Sequence, residues 1–181
     1  MRAKYLITQG VAAAALMLGA SQAMAADNAS ADATATLVSP IEVTKTTDLA
    51  FGQLAIPASG ATATTAIIST AGAQSGTANT VGTQTVSAAA FGVTGQGTLA
   101  YTPTITVTDA ALTGLALSAM SGKCSAGSDQ AITVASATGL TGCALTTGAD
   151  SFTVGGTLTI SDTATAGAKT AGTVAVTVAY N

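Results

Sequence analysis

Histidine and tryptophan are absent from this 181-residue chain, and aromatic residues make up 3% of it. Arginine occurs once, at Arg2. Without histidine the commonest acid–base side chain is missing, and a Ser–His–Asp triad is excluded. The only cysteines, Cys124 and Cys143, cannot complete a tetrahedral zinc site by themselves, so no metal centre is expected. Charged residues amount to 7%, against about 25% in ordinary soluble domains. Scarce charge does not mean disorder here. Disordered chains combine low hydrophobicity with high net charge, whereas 48% of this chain is hydrophobic. Serine, threonine and glycine carry the polar load, and an ordered β domain is expected.

The start of the chain is a targeting segment. Arg2 and Lys4 give a positive beginning, Leu6 to Ala20 is mostly apolar, and Ala23-Met24-Ala25 supplies small residues for a signal peptidase. Residues 1–25 therefore read as a cleavable signal peptide, cut before Ala26. The apolar stretch is shorter than the ~20 residues that span a bilayer, and no later segment is long enough, so no membrane span is expected in the mature chain. After cleavage Lys45, Lys123 and Lys169 face eight acids, a net charge of −5. Nucleic acid and anionic membrane surfaces both require a basic patch, and neither is expected as a partner. The expected location is the periplasm, then the cell surface or the medium. In an exported protein two cysteines imply a Cys124–Cys143 disulfide.

β-branched residues recur between turn signals. The pattern predicts strands over Leu37–Thr44, Leu49–Leu54, Thr64–Thr70, Thr83–Val93 and Thr102–Thr108. It continues with Leu112–Leu117, Ala131–Ala135, Ser151–Ser161 and Thr173–Tyr180. Pro40 marks a bulge or an edge position. Gly72–Gly82, Gly95-Gln96-Gly97 and Gly155-Gly156 separate or bend the strands. Eight or nine short strands without an amphipathic helix predict an all-β sandwich or barrel.

No catalytic or cofactor motif is present. The eight acids are scattered, and only an unforeseen meeting in space could make a carboxylate pair. Gly92, Gly95 and Gly97 lack the order and the following helix of a phosphate loop. Neither an EF-hand nor a nonapeptide repeat supports calcium binding. The expectation is a non-enzymatic protein without cofactor.

Both ends of the mature chain alternate with period two. Val174, Val176, Val178 and Tyr180 share one face of the last strand, which places that face on the core. Ala29, Ala31, Ala33, Ala35 and Leu37 share one parity near the start. That segment reads either as an alanine-rich tail or as a strand offering a narrow row of small side chains.

Three segments together carry a resemblance. They are Leu49-Ala50-Phe51-Gly52; Ala90-Phe91-Gly92-Val93-Thr94-Gly95-Gln96-Gly97, leading to Tyr101 and Thr104-Ile105-Thr106-Val107; and Val154-Gly155-Gly156-Thr157-Leu158-Thr159-Ile160 with the closing Val176-Thr177-Val178-Ala179-Tyr180-Asn181. The chain resembles the exported Gram-negative family called domain of unknown function 4402. That family often has a Gly-x-Tyr-x-Gly turn before its last strand; here Gly167 to Gly172 holds no tyrosine.

The family in turn looks like the pilin subunits of chaperone–usher pili. What this resemblance implies is an immunoglobulin-like, pilin-like sandwich over residues 37–181, preceded by an N-terminal extension at 26–36. Residues Ala29 to Leu37 would donate a strand to the next copy. Tyr180, next to last, fits the aromatic found there in such subunits. The cysteines stand later than in typical pilins. A structural filament subunit is implied, with self-association and a periplasmic chaperone and outer-membrane usher as partners. The alternative is a monomeric secreted or surface-associated adhesion module displaying loops such as Gly72–Gly82 or Gly122–Asp129.

Overall fold

The computed structural model describes residues 29–83 and 85–181. The expected signal peptide at 1–25, and residues 26–28 of the expected extension, lie outside the described residues. Leu37–Asn181 forms one compact unit. Residues 29–36, taken by themselves, are irregular and exposed.

Eleven strands are present among the described residues. They are β1 (Glu42–Thr47), β2 (Thr64–Ile68), β3 (Gln74–Gly76), β4 (Ala89–Thr94), β5 (Ala100–Asp109) and β6 (Leu115–Cys124). The remainder are β7 (Gln130–Ile132), β8 (Ala137–Gly139), β9 (Cys143–Ala144), β10 (Ala149–Ile160) and β11 (Gly172–Tyr180). Their antiparallel ladders make two open sheets of seven and four strands, so the fold is an all-β sandwich.

β10 is the spine of the larger sheet. β6 runs along one of its edges, and β4 and β2 share the other, against residues 149–154 and 156–160. β1, β3 and β7 extend the sheet outward from β4, β2 and β6. In the smaller sheet β5 is central. β11 pairs with it over nine residues on one side, and β8 and β9 occupy the other.

The core lies between the sheets. Phe91 and Phe152 stand directly opposite on β4 and β10, with ring centroids 5.1 Å apart and planes 15° from parallel. Offset stacking of this kind adds about 0.5–1.5 kcal/mol beyond area burial. Tyr101, Ile105 and Val107 fill the facing side from β5, all completely buried. The Cys124–Cys143 disulfide forms, with both residues buried and Cα atoms 5.5 Å apart, and it ties β6 of one sheet to β9 of the other.

Several expected strands shift. The first begins at Glu42 rather than Leu37, because Pro40 cannot donate to a ladder and residues 37–41 are irregular. Leu49–Leu54 is not a strand: it makes only single bridges at Ala50 and Leu54, and Gly52 at φ 77° breaks the extended run between them. Leu112–Leu117 is replaced by a turn at Gly114 (φ 75°) and then β6. The strand expected over Thr83–Val93 starts only at Ala89, and Ala131–Ala135 contracts to β7. The glycine-rich stretch 72–82 contains β3, and β6 takes residues 122–124 from the loop expected at Gly122–Asp129.

Gly155 and Gly156 lie inside β10, where they bend it. The register against β6 slips between Gly155 and Thr157, and Ala119 opposite takes φ 44°. A β-carbon on Gly156 would overlap the Met120 thioether, and one on Gly155 would strike the Ile68 carbonyl. Only glycine fits this bulge.

Candidate functional site: the free edge of the last strand and the groove beside it

The residues of β11 alternate between exposed and half-buried along its length. Val174, Val176, Val178 and Tyr180 pack against the core from the half-buried set, as their parity predicts. They are not fully buried, because β11 has a neighbour on one side only. It pairs with β5, and no ladder joins its other edge to any strand among the described residues. The near edge of the larger sheet, β1, is likewise paired on one side only, with β4.

Which backbone groups of β11 are left free follows from the ladder. Ala110 N–H donates to the Ala171 carbonyl (2.9 Å), and Asn181 N–H donates to the Ala100 carbonyl (3.2 Å). Both belong to the parity of closely bonded pairs, which alternate with unbonded pairs in an antiparallel ladder. Residues 173, 175, 177 and 179 therefore bond to β5. Gly172, Val174, Val176, Val178 and Tyr180 aim their N–H and C=O groups at the free edge. The residues with free backbone groups are thus the ones whose side chains face the core. An added strand would meet a row of donors and acceptors and an apolar face at once.

Beside the Gly172 end of this edge the sandwich opens into a groove of about 1250 Å³. Phe91, Leu117, Leu158 and Ile160 form its apolar base, and Leu49, Phe51, Leu54 and Val174 also line it. Leu49, Phe51 and Leu54 are only partly buried. Lys45, Asp48 and Lys169 supply its charge, with Lys45 and Asp48 paired at 2.6 Å.

The other end of the edge is closed. The Gln96 N–H donates to the Tyr180 hydroxyl (2.7 Å), which donates to the Ser39 carbonyl (3.0 Å). Ser39 N–H in turn donates to Gln96 Oε1 (2.9 Å). Gly95 is glycine for a steric reason, since a β-carbon there would collide with the Tyr180 hydroxyl and Leu145.

The expected extension residues Ala29, Ala31, Ala33 and Ala35 are irregular and exposed, as is Leu37, which is 89% exposed. Sequence reasoning missed the groove base, because Phe91, Leu117, Leu158 and Ile160 are brought together only by the fold. Among the described residues no group of three or more His, Cys, Asp or Glu side chains converges. Nor is any helix there long and apolar enough to cross a membrane.

One more polar cluster is built on the buried Tyr101. Tyr101 donates to Asp150 Oδ2 (2.8 Å), and Ser125 donates to the other carboxylate oxygen. Burial, and then the Asp150 carboxylate, push the Tyr101 phenol well above its ordinary value. A phenol held neutral in this way braces the core and offers no base.

A family model described as "Domain of unknown function (DUF4402)" matches residues 41–180. No curated protein and no solved structure matches the chain.

Proposed function

We propose, for a chain that belongs to the family described as Domain of unknown function (DUF4402), a structural role: an exported subunit of a surface filament, assembled by strand donation. The observation that carries this reading is the free edge of β11, whose outward backbone groups and core-facing valines belong to the same residues. Pairing there by another chain satisfies the backbone and covers the half-buried side chains in one step. The donor is the segment ending at Leu37, with Ala29, Ala31, Ala33 and Ala35 directed into the acceptor.

Such a contact is head-to-tail. The donating and accepting surfaces differ, so it propagates instead of closing into a dimer. Alanine buries little area at roughly 25 cal/mol per Å², so backbone pairing supplies much of the hold. A periplasmic chaperone and an outer-membrane usher fit this reading as partners that shield the edge before assembly. The protein is exported and non-catalytic in this account.

The experiment is the size distribution of the exported protein, with and without residues 26–35. Filaments from the full chain and monomers from the deletion support the reading. A full chain that stays monomeric at high concentration, unaffected by the deletion, overturns it in favour of a free-standing adhesion module.

A further inference from the structure

We infer that the donated segment runs antiparallel to β11, with Leu37 of one copy opposite Val174 of the next, seated in the groove at the Gly172 end. This rests on the strand-donation reading and adds to it a polarity, a register and an anchor.

The two ends of the free edge are unlike. At the Gly172 end lies the groove of about 1250 Å³ over Phe91, Leu117, Leu158 and Ile160. At the other end the Tyr180 hydroxyl is tied to Ser39 and Gln96. The donor is equally asymmetric. Of the core-directed set Ala29, Ala31, Ala33, Ala35 and Leu37, four side chains are single methyl groups. The fifth is a leucine left 89% exposed in the isolated chain. The large side chain matches the end with the groove, and the methyl groups match the stretch beside Val176 and Val178, which do not line it.

Parity then fixes the register. Directly opposite residues in an antiparallel pair point to the same face. Leu37 opposite Val174 places Ala35 opposite Val176 and Ala33 opposite Val178, all directed inward. Thr36 falls opposite Ala175 and Thr34 opposite Thr177, all directed to solvent. Thr36, Ala175 and Thr177 are exposed in the isolated chain. A parallel donor of the same parity would bring Leu37 against Tyr180, away from the groove, where the hydroxyl is already bonded to Ser39 and Gln96.

The register also sets how copies meet. Ser39 stays bonded to its own Gln96 and Tyr180, so two residue steps, about 7 Å when extended, separate the seated Leu37 from the donor's own sandwich. Neighbouring copies must therefore abut, the Tyr180 end of one against the Gly172 end of the next.

Paired cysteines on exposed positions test this without touching the core. In the full exported chain, Thr36→Cys with Ala175→Cys reports the antiparallel register. Thr36→Cys with Ala179→Cys reports the parallel one. Opposite residues of a ladder lie within the Cα separation a disulfide needs. The expected result is a ladder of covalent oligomers from the first pair on mild oxidation and at least tenfold less from the second. Leu37→Ala is expected to cut assembly at least tenfold, and Ala126→Ser, in the exposed turn after β6, to leave it within twofold.

A ladder from the second pair alone, or filaments that neither pair links, overturns the inference while leaving strand donation standing. So does full assembly of Leu37→Ala. Absence of any oligomer from the unsubstituted chain is the separate failure, that of strand donation itself.

Discussion

The Tyr180 hydroxyl donates a 3.0 Å hydrogen bond to the carbonyl of Ser39, 141 residues earlier in the chain. The same oxygen accepts from Gln96 N–H. One phenol thus joins the last strand, the turn after β4 and the point where the chain enters the sandwich. That turn is docked further by Gly95 N–H on the Gly148 carbonyl (2.9 Å) and Gly148 N–H on the Gly97 carbonyl (2.7 Å). The backbone at Ser39 is therefore held by the C-terminal strand.

Tyr180→Phe removes both bonds of the hydroxyl and keeps the ring. The expected loss is about 1–2 kcal/mol, since neutral hydrogen bonds contribute roughly 0.5–1.5 kcal/mol each. Gly95→Ala, whose methyl group strikes that hydroxyl, is expected to cost about 1–3 kcal/mol by overpacking. Because the two changes share one contact they should not add. Urea unfolding of the single and double variants checks this. A double variant equal to the sum of the singles would show that Gly95 does not act through Tyr180.

The last strand was legible because a strand with one buried face writes its period into the sequence, and Val174, Val176, Val178 and Tyr180 do so without a break. The cysteine pair was legible from its count together with the expected export. Leu49–Leu54 misled because an apolar run looks the same whether it pairs in a ladder or, as here, lines a groove with Leu49, Phe51 and Leu54 after Gly52 has broken it. β3, β8 and β9 were invisible because segments of two or three residues, Gln-Ser-Gly, Ala-Thr-Gly and Cys-Ala, are too short to show alternation. The free edge was not legible at all. A period of two says which face a residue takes and nothing about how many neighbours its strand has.

Thr147 and Gly148 form the two-residue turn into β10, both with positive φ, 52° and 85°. Thr146 and Ala149 exchange both backbone bonds across it, at 2.8 and 3.2 Å. A turn with two left-handed central residues favours Asn-Gly, and a β-branched residue is costly there. Thr147→Asn is expected to stabilise the protein by about 0.5–1 kcal/mol, read as a higher urea midpoint at unchanged slope. A lower midpoint would mean that the threonine side chain contributes more than its backbone strain costs.

The disulfide closes a loop over 19 positions and links the two sheets. Replacing Cys124 and Cys143 together by alanine is expected to cost roughly 3 kcal/mol on the chain-entropy account. Reduction of the native protein should be slow, because both sulfurs are buried. Thiol labelling against time, with and without urea, checks this. Labelling as fast in the native protein as in the unfolded chain would contradict the buried placement.

Tyr101 makes stability depend on alkaline pH, and the sign follows from its environment. Its phenol is raised above the ordinary value of 10.0 in the folded state by burial and by Asp150. The folded chain therefore holds this proton more tightly than the unfolded chain does. The resulting stability is fully present below pH 10 and is lost progressively as pH rises above it. Tyr101→Phe should flatten that decline. It should also lower stability at neutral pH by about 1–3 kcal/mol, because Asp150 loses a donor and keeps only Ser125. Urea midpoints measured from pH 7 to 11 decide the matter, and an unchanged alkaline slope in Tyr101→Phe would assign the titration to another group.

Proline separates folding from strand addition on β11. The N–H of Val176 points to the free edge and takes no part in the ladder with β5, whereas the N–H of Thr177 bonds to β5. Proline removes one donor and fixes φ near −65°, which an edge strand tolerates where the donor faces outward. Pro103 of β5 stands opposite Val178 in an unbonded pair of this ladder, so its missing N–H costs the pairing with β11 nothing. Val176→Pro is therefore expected to leave a folded monomer, weakened by no more than about 1–2 kcal/mol through lost valine packing and local strain. It should abolish assembly, since an incoming strand would meet a missing donor and a protruding ring. Thr177→Pro removes a donor that the fold itself uses, and it should cost about 3 kcal/mol or more. Circular dichroism and urea unfolding read the fold, and sedimentation reads the assembly. If Val176→Pro still forms filaments, the free edge of β11 is not where the donated strand pairs; if it unfolds as readily as Thr177→Pro, the assignment of inward and outward backbone groups on this strand is reversed.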